Sequence, residues 1–145
     1  MRLWHYQLLP YLPDAQFKGQ LRELIVIMRA WRDTGKTNHL LINRVMEYDK
    51  SELTRYFLEY EKVYYLRFGK ELLKYRNEFL RFCGADASKK AFMTETWHNK
   101  EYLRVCMANL YEKHHFGVGK SRISDEEWQR LLDGYKNICG EDWVL

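Results

Sequence analysis

Arg22 and Glu23 stand side by side just before an apolar run, within QLRELIVIM at residues 20–28. A carboxylate can stabilise a developing positive charge and move protons, and a guanidinium can hold a phosphate by charge-assisted hydrogen bonds. The alternative is an ordinary ion pair on a solvated helix, which contributes little to stability. The choice between the two depends on which face of the helix carries Glu23.

The surrounding residues predict an α-helix over 14–32, with Asp14 as its N-cap. Apolar side chains recur at spacings of three and four, at Phe17, Leu21, Leu24, Ile25, Met28 and Trp31. On a helical projection, the opposite side carries Gln16, Gly19, Gln20 and Glu23. We therefore expect Glu23 to point away from the core, and the missing side chain of Gly19 would let a ligand approach beside it.

A second chemical feature is the segment EKHHFGVGKSR at residues 112–122. After Glu112 no acidic residue occurs until Asp125, while Lys113, Lys120 and Arg122 are permanent cations. The glycines on either side of Val118 would make the loop pliable and leave backbone N–H groups accessible to a phosphate oxygen. The segment predicts a phosphate contact, with a plain solvated loop as the alternative.

Composition excludes several classes of protein. The 145 residues include 24 Lys and Arg against 20 Asp and Glu, a net charge of +4 that suits a polyanionic partner. Three cysteines are an odd number and widely spaced, which argues against a disulfide framework and favours a reducing, cytoplasmic setting. No apolar run approaches the ~20 residues that cross a bilayer, so we expect no membrane association.

The remaining pattern is helical throughout and predicts an all-α, compact single-domain helical bundle spanning residues 1–145. A short helix is expected near 38–48, another at 99–114, and a last one after a capping box formed by Ser124 and Glu127. Aromatic and apolar residues at helical spacing from Leu53 to Phe82 predict one long central aromatic-rich helix. We expect Gly84 to end that helix and Gly69 to allow a kink in it.

Two apparent ligand-binding motifs lack residues or spacings that such motifs require. GVGKS at residues 117–121 resembles the end of a phosphate-binding P-loop, but His114 stands where that pattern needs glycine, and no strand precedes it. His98, His114 and His115, with Cys106, lack the spacing of a zinc site. The sequence therefore predicts no metal and no cofactor.

The segment MRLWHYQLLPYLPDAQFKGQLREL at residues 1–24 resembles the pyrimidine-dimer DNA glycosylase family of the endonuclease V type. The similarity rests on the N-terminal arginine, on the loop that enters a helix at LPDAQ, and on LREL. LTRYFLEYEKVYYLRFGKELL is similar to the central aromatic helix of that family, and ANLYEK to its later DNA-contacting helix. In this comparison about two thirds of the chain follows the family.

The resemblance implies a DNA repair glycosylase and AP lyase that acts on double-stranded DNA as a monomer, with a single helical domain. Its nucleophile would be the α-amine of Met1, a group whose reference pKa of about 7.7–8.0 leaves roughly a tenth or more neutral at pH 7. Glu23 would stabilise positive charge on the sugar and move protons. The implied phosphate contacts are made by Arg22 and Arg2, and the wider DNA-binding set adds Trp4, His5, Gln16, Lys113, Lys120 and Arg122.

Departures from the family pattern bear on this chemistry. Arg2 should block removal of the initiator methionine, so the amine belongs to Met1. Gln16, Val26 and Asn109 replace a histidine and two arginines of the family. Trp4 and His5 are additions that would stack on a base and exchange protons near neutral pH, or else simply anchor the N-terminus. The alternatives are a catalytically inactive DNA-binding or DNA-bending module of the same fold, or an unrelated helical protein.

Overall fold

The computed structural model describes residues 2–36, 43–86 and 91–145, apart from the side chains of residues 94 and 95. Within these ranges all regular secondary structure is helical, which confirms the predicted all-α class. A 3-10 helix at Tyr6–Tyr11 precedes five described α-helices, which are α1 Asp14–Thr34, α2 Lys50–Phe68, α3 Leu73–Cys83, α4 Lys100–His115 and α5 Asp125–Cys139. Short helical turns occupy Arg44–Glu47, Phe92–Thr96 and Gly119–Ser121.

Several predicted helix ends are confirmed. Ser124 and Glu127 form the capping box of α5, with reciprocal hydrogen bonds of 3.1 and 3.0 Å. Gly84 follows the last residue of α3 and has φ +70°, which suits a glycine. The N-cap of α1 is Pro13 instead of Asp14, which is already helical. The helix predicted near 38–48 lies partly outside the described residues.

The prediction of one long central helix was wrong. Gly69 adopts a left-handed conformation with φ +67°, and the chain reverses so that α2 and α3 form an antiparallel hairpin. The buried Glu61 carboxylate accepts hydrogen bonds from the backbone N–H of Leu72 and from the Arg76 guanidinium, all between 2.7 and 2.9 Å. This carboxylate satisfies a donor at the start of α3 and fixes the reversal.

Aromatic side chains hold the hairpin and α1 together. The rings of Phe57 and Phe79 stack with centroids 4.5 Å apart, which joins α2 to α3. Phe17 of α1 stacks on Tyr60 of α2 at 4.4 Å, and the Tyr60 hydroxyl donates to the Phe17 carbonyl at 2.7 Å. The aromatic stripe is therefore a core, as its spacing indicates, although it is divided between two helices.

The 3-10 helix at Tyr6–Tyr11 sets the path of the chain into α1. The Tyr11 ring packs directly against Gly134 of α5, where any Cβ would clash with it. Arg67 donates to the carbonyls of Leu9 and Pro10 at 2.9 and 3.0 Å. These contacts bind the N-terminal segment to α2 and α5.

The three cysteines are free, as predicted. Over the described part of the chain, none of the helices combines the length and apolar character that a membrane span requires.

Candidate active site at the N-terminal arm

Residues 2–5, here called the N-terminal arm, run along α1 and are built into the core. The side chains of Leu3, Trp4 and His5 are buried. The backbone N–H of Arg2 donates to Oε2 of Glu23 over 3.0 Å. The start of the described chain is therefore in direct contact with the carboxylate, although Met1 itself lies outside the described residues.

The face of α1 that carries Glu23 is covered by this arm. Gln20 is 0% exposed and Gln16 is 8% exposed, so the prediction that this face points away from the core was wrong for both. Helical projection predicts burial from the spacing of apolar residues alone. Here the segment that covers this face of α1 is backbone, whose N–H and carbonyl groups need polar side chains as partners. Glu23 is half-buried at the edge of the arm.

Arg22 and Glu23 do not form the surface ion pair that was the alternative. Arg22 is exposed, and its Nη2 atom lies 3.6 Å from the position that a Cβ on Gly19 would occupy. Neither residue has an ion-pair partner among the residues that the structure describes. The second carboxylate oxygen of Glu23 has no hydrogen bond within the same ranges, so it is available to a ligand.

Arg2 brings a second cation to the arm. Its guanidinium carbon lies 5.3 Å from the ring centroid of Trp4, and the side chain is half-buried. Arg2 also lies close to the Tyr102 hydroxyl and the Cys106 thiol. Burial raises the pKa of Cys106 to about 11, so this thiol is neutral near pH 7 and is a poor nucleophile.

His5 and His98 form a buried neutral pair beneath the arm. Nδ1 of His5 accepts from Gln7 N–H at 3.2 Å, so its Nε2 carries the proton and donates to the His98 carbonyl at 3.0 Å. Nδ1 of His98 accepts from Tyr6 N–H at 3.1 Å. Burial lowers the pKa of His5 to about 4 and lowers that of His98 well below its ordinary value.

These contacts decide between the two roles considered for Trp4 and His5. His5 is uncharged near pH 7, so the prediction that it exchanges protons at neutral pH was wrong. Trp4 is buried under Arg2, and its backbone N–H and carbonyl are both bonded. The contacts support the anchoring alternative, because either side chain would reach DNA only if the arm moved.

One face of α4 borders the arm on the side away from α1. Tyr102, Cys106, Asn109 and Lys113 follow one another at intervals of four, three and four residues, which places them on one face. The Tyr102 hydroxyl donates to the Leu3 carbonyl at 2.6 Å, so this face adjoins the arm. Lys113, two turns beyond Cys106, is half-buried at the far end.

The loop at residues 116–122, here called the basic loop, contacts the N-terminal part of α1. Nε2 of Gln16 donates to the Ser121 carbonyl at 2.8 Å, and the buried Oε1 of Gln16 has no described partner. Because Gln16 and Glu23 are seven residues apart on one face, the loop meets α1 about 10 Å from the carboxylate. Lys120 and Arg122 flank Ser121, are exposed, and have no ion-pair partner in the described ranges.

The basic loop is less pliable than its glycines indicate. A Cβ on Gly117 would clash with the backbone carbonyl of Lys113, so this glycine is required by close packing on the end of α4. The Ile123 N–H donates to the same carbonyl at 3.3 Å. His114 is also structural, since its Nδ1 lies 3.0 Å from the Ile123 carbonyl and its ring stacks on Trp128.

In the residues that the structure describes, neither a group of metal-ligating side chains nor a cavity indicates a second site for this chemistry. No group of three or more metal-ligating side chains occurs in the ranges that the structure describes. A cavity of about 600 Å³ lies elsewhere, between α1 and α3, and is lined by Arg32, Lys74, Asn77, Glu78, Arg81 and Phe82. None of the predicted site residues lines it, and its carboxylate is already paired with Arg29 and Arg32.

Sequence reasoning missed three residues that build the site, namely Gln20, Tyr56 and Tyr102. All three are buried and hydrogen-bonded to the backbone of the arm. Both tyrosines lie among the inward-facing apolar residues of their helices, so their positions in the sequence indicate ordinary core aromatic residues. Gln20 is a polar residue on the Glu23 face, and its proximity to that carboxylate was the one available signal.

Comparison with known proteins adds an independent observation. Residues 1–71 match the model of a family described as pyrimidine dimer DNA glycosylase. The matched part contains the arm, α1, α2 and the Arg22–Glu23 pair, and it ends in the turn before α3, so it is shorter than the two thirds predicted. Neither the curated proteins nor the solved structures gave a match to this chain. On the match over its N-terminal half, the chain belongs to the pyrimidine dimer DNA glycosylase family, a family of DNA repair enzymes.

Proposed function

We propose that this protein is a DNA N-glycosylase with AP lyase activity, which acts on pyrimidine-dimer-like or otherwise damaged bases in double-stranded DNA through an imine on the α-amine of Met1. The observation that carries the proposal is the hydrogen bond of 3.0 Å between Arg2 N–H and Glu23 Oε2. It puts the backbone nitrogen of Arg2 beside the carboxylate to which the resemblance assigns the catalytic role.

Covalent geometry extends this contact to the amine. The nitrogens of residues 1 and 2 are separated by three bonds whose standard lengths keep them less than ~4 Å apart in any conformation. The α-amine is therefore less than ~7 Å from Oε2 of Glu23, whatever the conformation of Met1. A deoxyribose ring and its C1′ atom fit within such a span.

The proposed reaction balances without a cofactor. The neutral amine attacks C1′, the C1′–N bond to the damaged base breaks, and the base leaves with the bonding electrons and takes up a proton. Opening of the sugar ring gives a protonated imine between C1′ and the amine. Loss of a proton from C2′ then expels the 3′ phosphate, which cuts the strand, and water finally releases the amine from the imine.

Glu23 has two roles in this scheme. Its negative charge stabilises the positive charge that develops on the sugar as the base departs. The carboxylate also moves protons during ring opening and removes the proton from C2′. Oε2 is held by the Arg2 N–H, which leaves the other oxygen to face the substrate.

Phosphate contacts are assigned to the cations around this carboxylate. Arg22 and Arg2 hold the phosphates next to the damaged nucleotide by charge-assisted hydrogen bonds. Lys113, Lys120 and Arg122 contact the backbone farther along, about 10 Å from Glu23 by the length of α1 between Gln16 and Glu23. Gln16 positions the basic loop through its hydrogen bond to the Ser121 carbonyl.

A target atom inside a duplex is out of reach, so the damaged nucleotide or its neighbour must leave the stack. Unstacking costs a few kcal/mol and costs least at damaged pairs, which favours lesions over normal sequence. The free cysteines agree with a reducing, cytoplasmic setting for this repair activity.

The test is covalent trapping with borohydride on duplex DNA that contains one abasic site. The unmodified chain should form an adduct that peptide mapping places at Met1, and intact mass should show that Met1 is retained with a free amine. Glu23→Gln should lower the trapping rate about 100-fold or more, since general acid–base groups contribute at least that much. Glu59→Gln is the matched control, because that half-exposed carboxylate pairs with Lys62 at the protein surface.

An adduct at a lysine, or a trapping rate that Glu23→Gln leaves unchanged, would contradict the proposal.

The alternative function is a DNA-binding or DNA-bending module that has lost the chemistry. It is favoured by Arg2, which keeps Met1 in place and so moves the amine one residue beyond the nitrogen that contacts Glu23. This alternative expects tight duplex binding that weakens steeply with salt, with neither adduct nor strand cleavage.

A further inference from the structure

The backbone of the N-terminal arm is held by polar side chains from three different helices. The Arg2 carbonyl accepts from Nε2 of Gln20 in α1 at 2.7 Å. The Leu3 carbonyl accepts from the Tyr102 hydroxyl in α4 at 2.6 Å, and the Trp4 carbonyl from the Tyr56 hydroxyl in α2 at 2.5 Å. Three consecutive carbonyls are thus fixed by three independent elements.

Gln20 is the centre of this arrangement. Besides its bond to the Arg2 carbonyl, its Oε1 accepts from Trp4 N–H at 2.8 Å and lies 3.2 Å from the Tyr56 hydroxyl. A carboxamide donates with one atom and accepts with the other, so it pairs with the arm as a neighbouring strand would. The side chain has no exposed surface, so water does not replace any of these bonds.

The same side chain lies one helical turn before Glu23. Residues 20 and 23 are adjacent on one face of α1, so the arm that Gln20 holds is delivered to the Glu23 carboxylate at Arg2 N. A shift of the arm along α1 would carry the first residues of the chain with it. The position of the Arg2 nitrogen relative to the Glu23 carboxylate is therefore set by the Gln20 amide.

We infer that Gln20 is a positioning residue for the reaction, which holds the Arg2 end of the N-terminal arm against Glu23 through paired hydrogen bonds to the backbone of residues 2 and 4, with the Tyr56 and Tyr102 hydroxyls as its supports. This inference rests on the proposed function. It assigns no contact between Gln20 and the substrate.

Methionine at position 20 keeps the length of the side chain and removes both hydrogen bonds. Gln20→Met should lower the single-turnover trapping rate on abasic-site duplex about 100-fold, because a displacement of ~1 Å at reacting groups has that effect. Affinity for a duplex with a reduced, unreactive abasic analogue should change less than ~3-fold, because Arg22 and the cations of the basic loop are untouched. Amide hydrogen exchange of Arg2 and Trp4 should accelerate strongly in the variant.

A second pair of variants separates positioning from stability. Tyr102→Phe removes one hydroxyl from the support of the arm, and Tyr60→Phe removes a hydroxyl with an equivalent buried bond, to the Phe17 carbonyl at 2.7 Å, outside the arm. Both should lose similar stability. Only Tyr102→Phe should slow trapping, by about 10-fold, and this comparison remains informative if Gln20→Met does not fold.

The outcomes are distinct. An unmodified chain that forms no adduct overturns the proposed function and this inference with it. Trapping by the unmodified chain, combined with an unchanged rate in Gln20→Met or with equal slowing in Tyr102→Phe and Tyr60→Phe, overturns this inference alone.

Discussion

The N-terminal arm and the basic loop both contact α1, but they are held in different ways. Buried side chains bond each carbonyl from Arg2 to Trp4, whereas the basic loop is attached to α1 by one hydrogen bond to Ser121. The arm lies within the part of the chain that matches the family, and the loop lies outside it. The difference agrees with the two tasks proposed for these segments, since a covalent reaction needs atoms fixed in place, whereas phosphate contacts act over longer distances and tolerate motion.

The largest expected effect comes from blocking the chain end. Acetylation of the amine should reduce adduct formation at least ~1,000-fold, because the electron pair of an acylated nitrogen is delocalised into the carbonyl and is not available for attack. Borohydride trapping measures the loss, and a tag at the C-terminus is the control. Duplex affinity should stay within about 3-fold. A full trapping rate in a blocked chain would show that the N-terminal arm takes no part in the reaction.

The buried histidines make the arm sensitive to acid. The folded pKa of His5 is about 4 and the unfolded value is about 6.5, so below pH 6.5 the unfolded chain binds protons that the folded chain does not. Between pH 6.5 and pH 5 the free energy of unfolding should therefore fall by roughly 1.5 kcal/mol on account of His5, and His98 should add to the fall. Urea unfolding at the two pH values measures the change.

His5→Asn keeps an acceptor for Gln7 N–H and should remove one histidine's share of this pH dependence. A pH dependence identical to that of the unmodified chain would show that His5 is not buried as a neutral group.

Substitutions at two glycines test whether each glycine is needed for close packing or for the approach of a ligand. Gly117→Ala places a methyl group against the Lys113 carbonyl and should destabilise the fold by about 1–3 kcal/mol, with weaker duplex binding because the basic loop is displaced. Gly19→Ala meets only Arg22 Nη2 at an ordinary distance of 3.6 Å and should stabilise α1 by about 1 kcal/mol. Thermal unfolding and duplex affinity of the two variants test the contrast.

If Gly19→Ala also slows trapping, the substrate backbone approaches α1 beside Glu23. Equal stability of the two variants would contradict the close packing of the loop on α4.

The smallest effects belong to single cations of the loop. Lys120→Ala and Arg122→Ala should each weaken duplex binding a few-fold and reduce the salt slope by about one unit, as expected for a single phosphate contact. The trapping rate at saturating DNA should not change. Lys62→Ala, far from the loop on α2, is the control. A salt slope that neither loop variant alters would indicate that the loop is simply solvated.

Sequence reasoning succeeded where a local pattern has one physical solution. The capping box at Ser124 and Glu127 and the glycine end of α3 follow from the geometry of single helix ends. The Arg22–Glu23 pair was selected by motif, and Glu23 does lie beside the first described nitrogen. The two helix ends depend on residues close together in the chain, whereas the contact of Glu23 with the Arg2 nitrogen joins residues 21 positions apart.

Sequence reasoning failed where the residue that determines the structure is distant in the chain. The reversal at Gly69 depends on Glu61, whose carboxylate meets Leu72 and Arg76 only after the hairpin has formed, while the aromatic spacing runs through the break without interruption. Gln20 was placed outward because helical projection counts apolar residues alone. A backbone segment that needs a buried amide leaves no periodic trace in the sequence.

The stacking of Phe57 on Phe79 ties the matched part of the chain to the helices beyond residue 71. A polypeptide cut after residue 71 would expose the Phe57 ring and lose the Arg76 counter-charge of Glu61. It would also lose the Tyr102 hydroxyl, which leaves the Leu3 carbonyl without its donor. The part of the chain that matches the family therefore depends on the other half for part of its packing and for the hydrogen bonds of its arm.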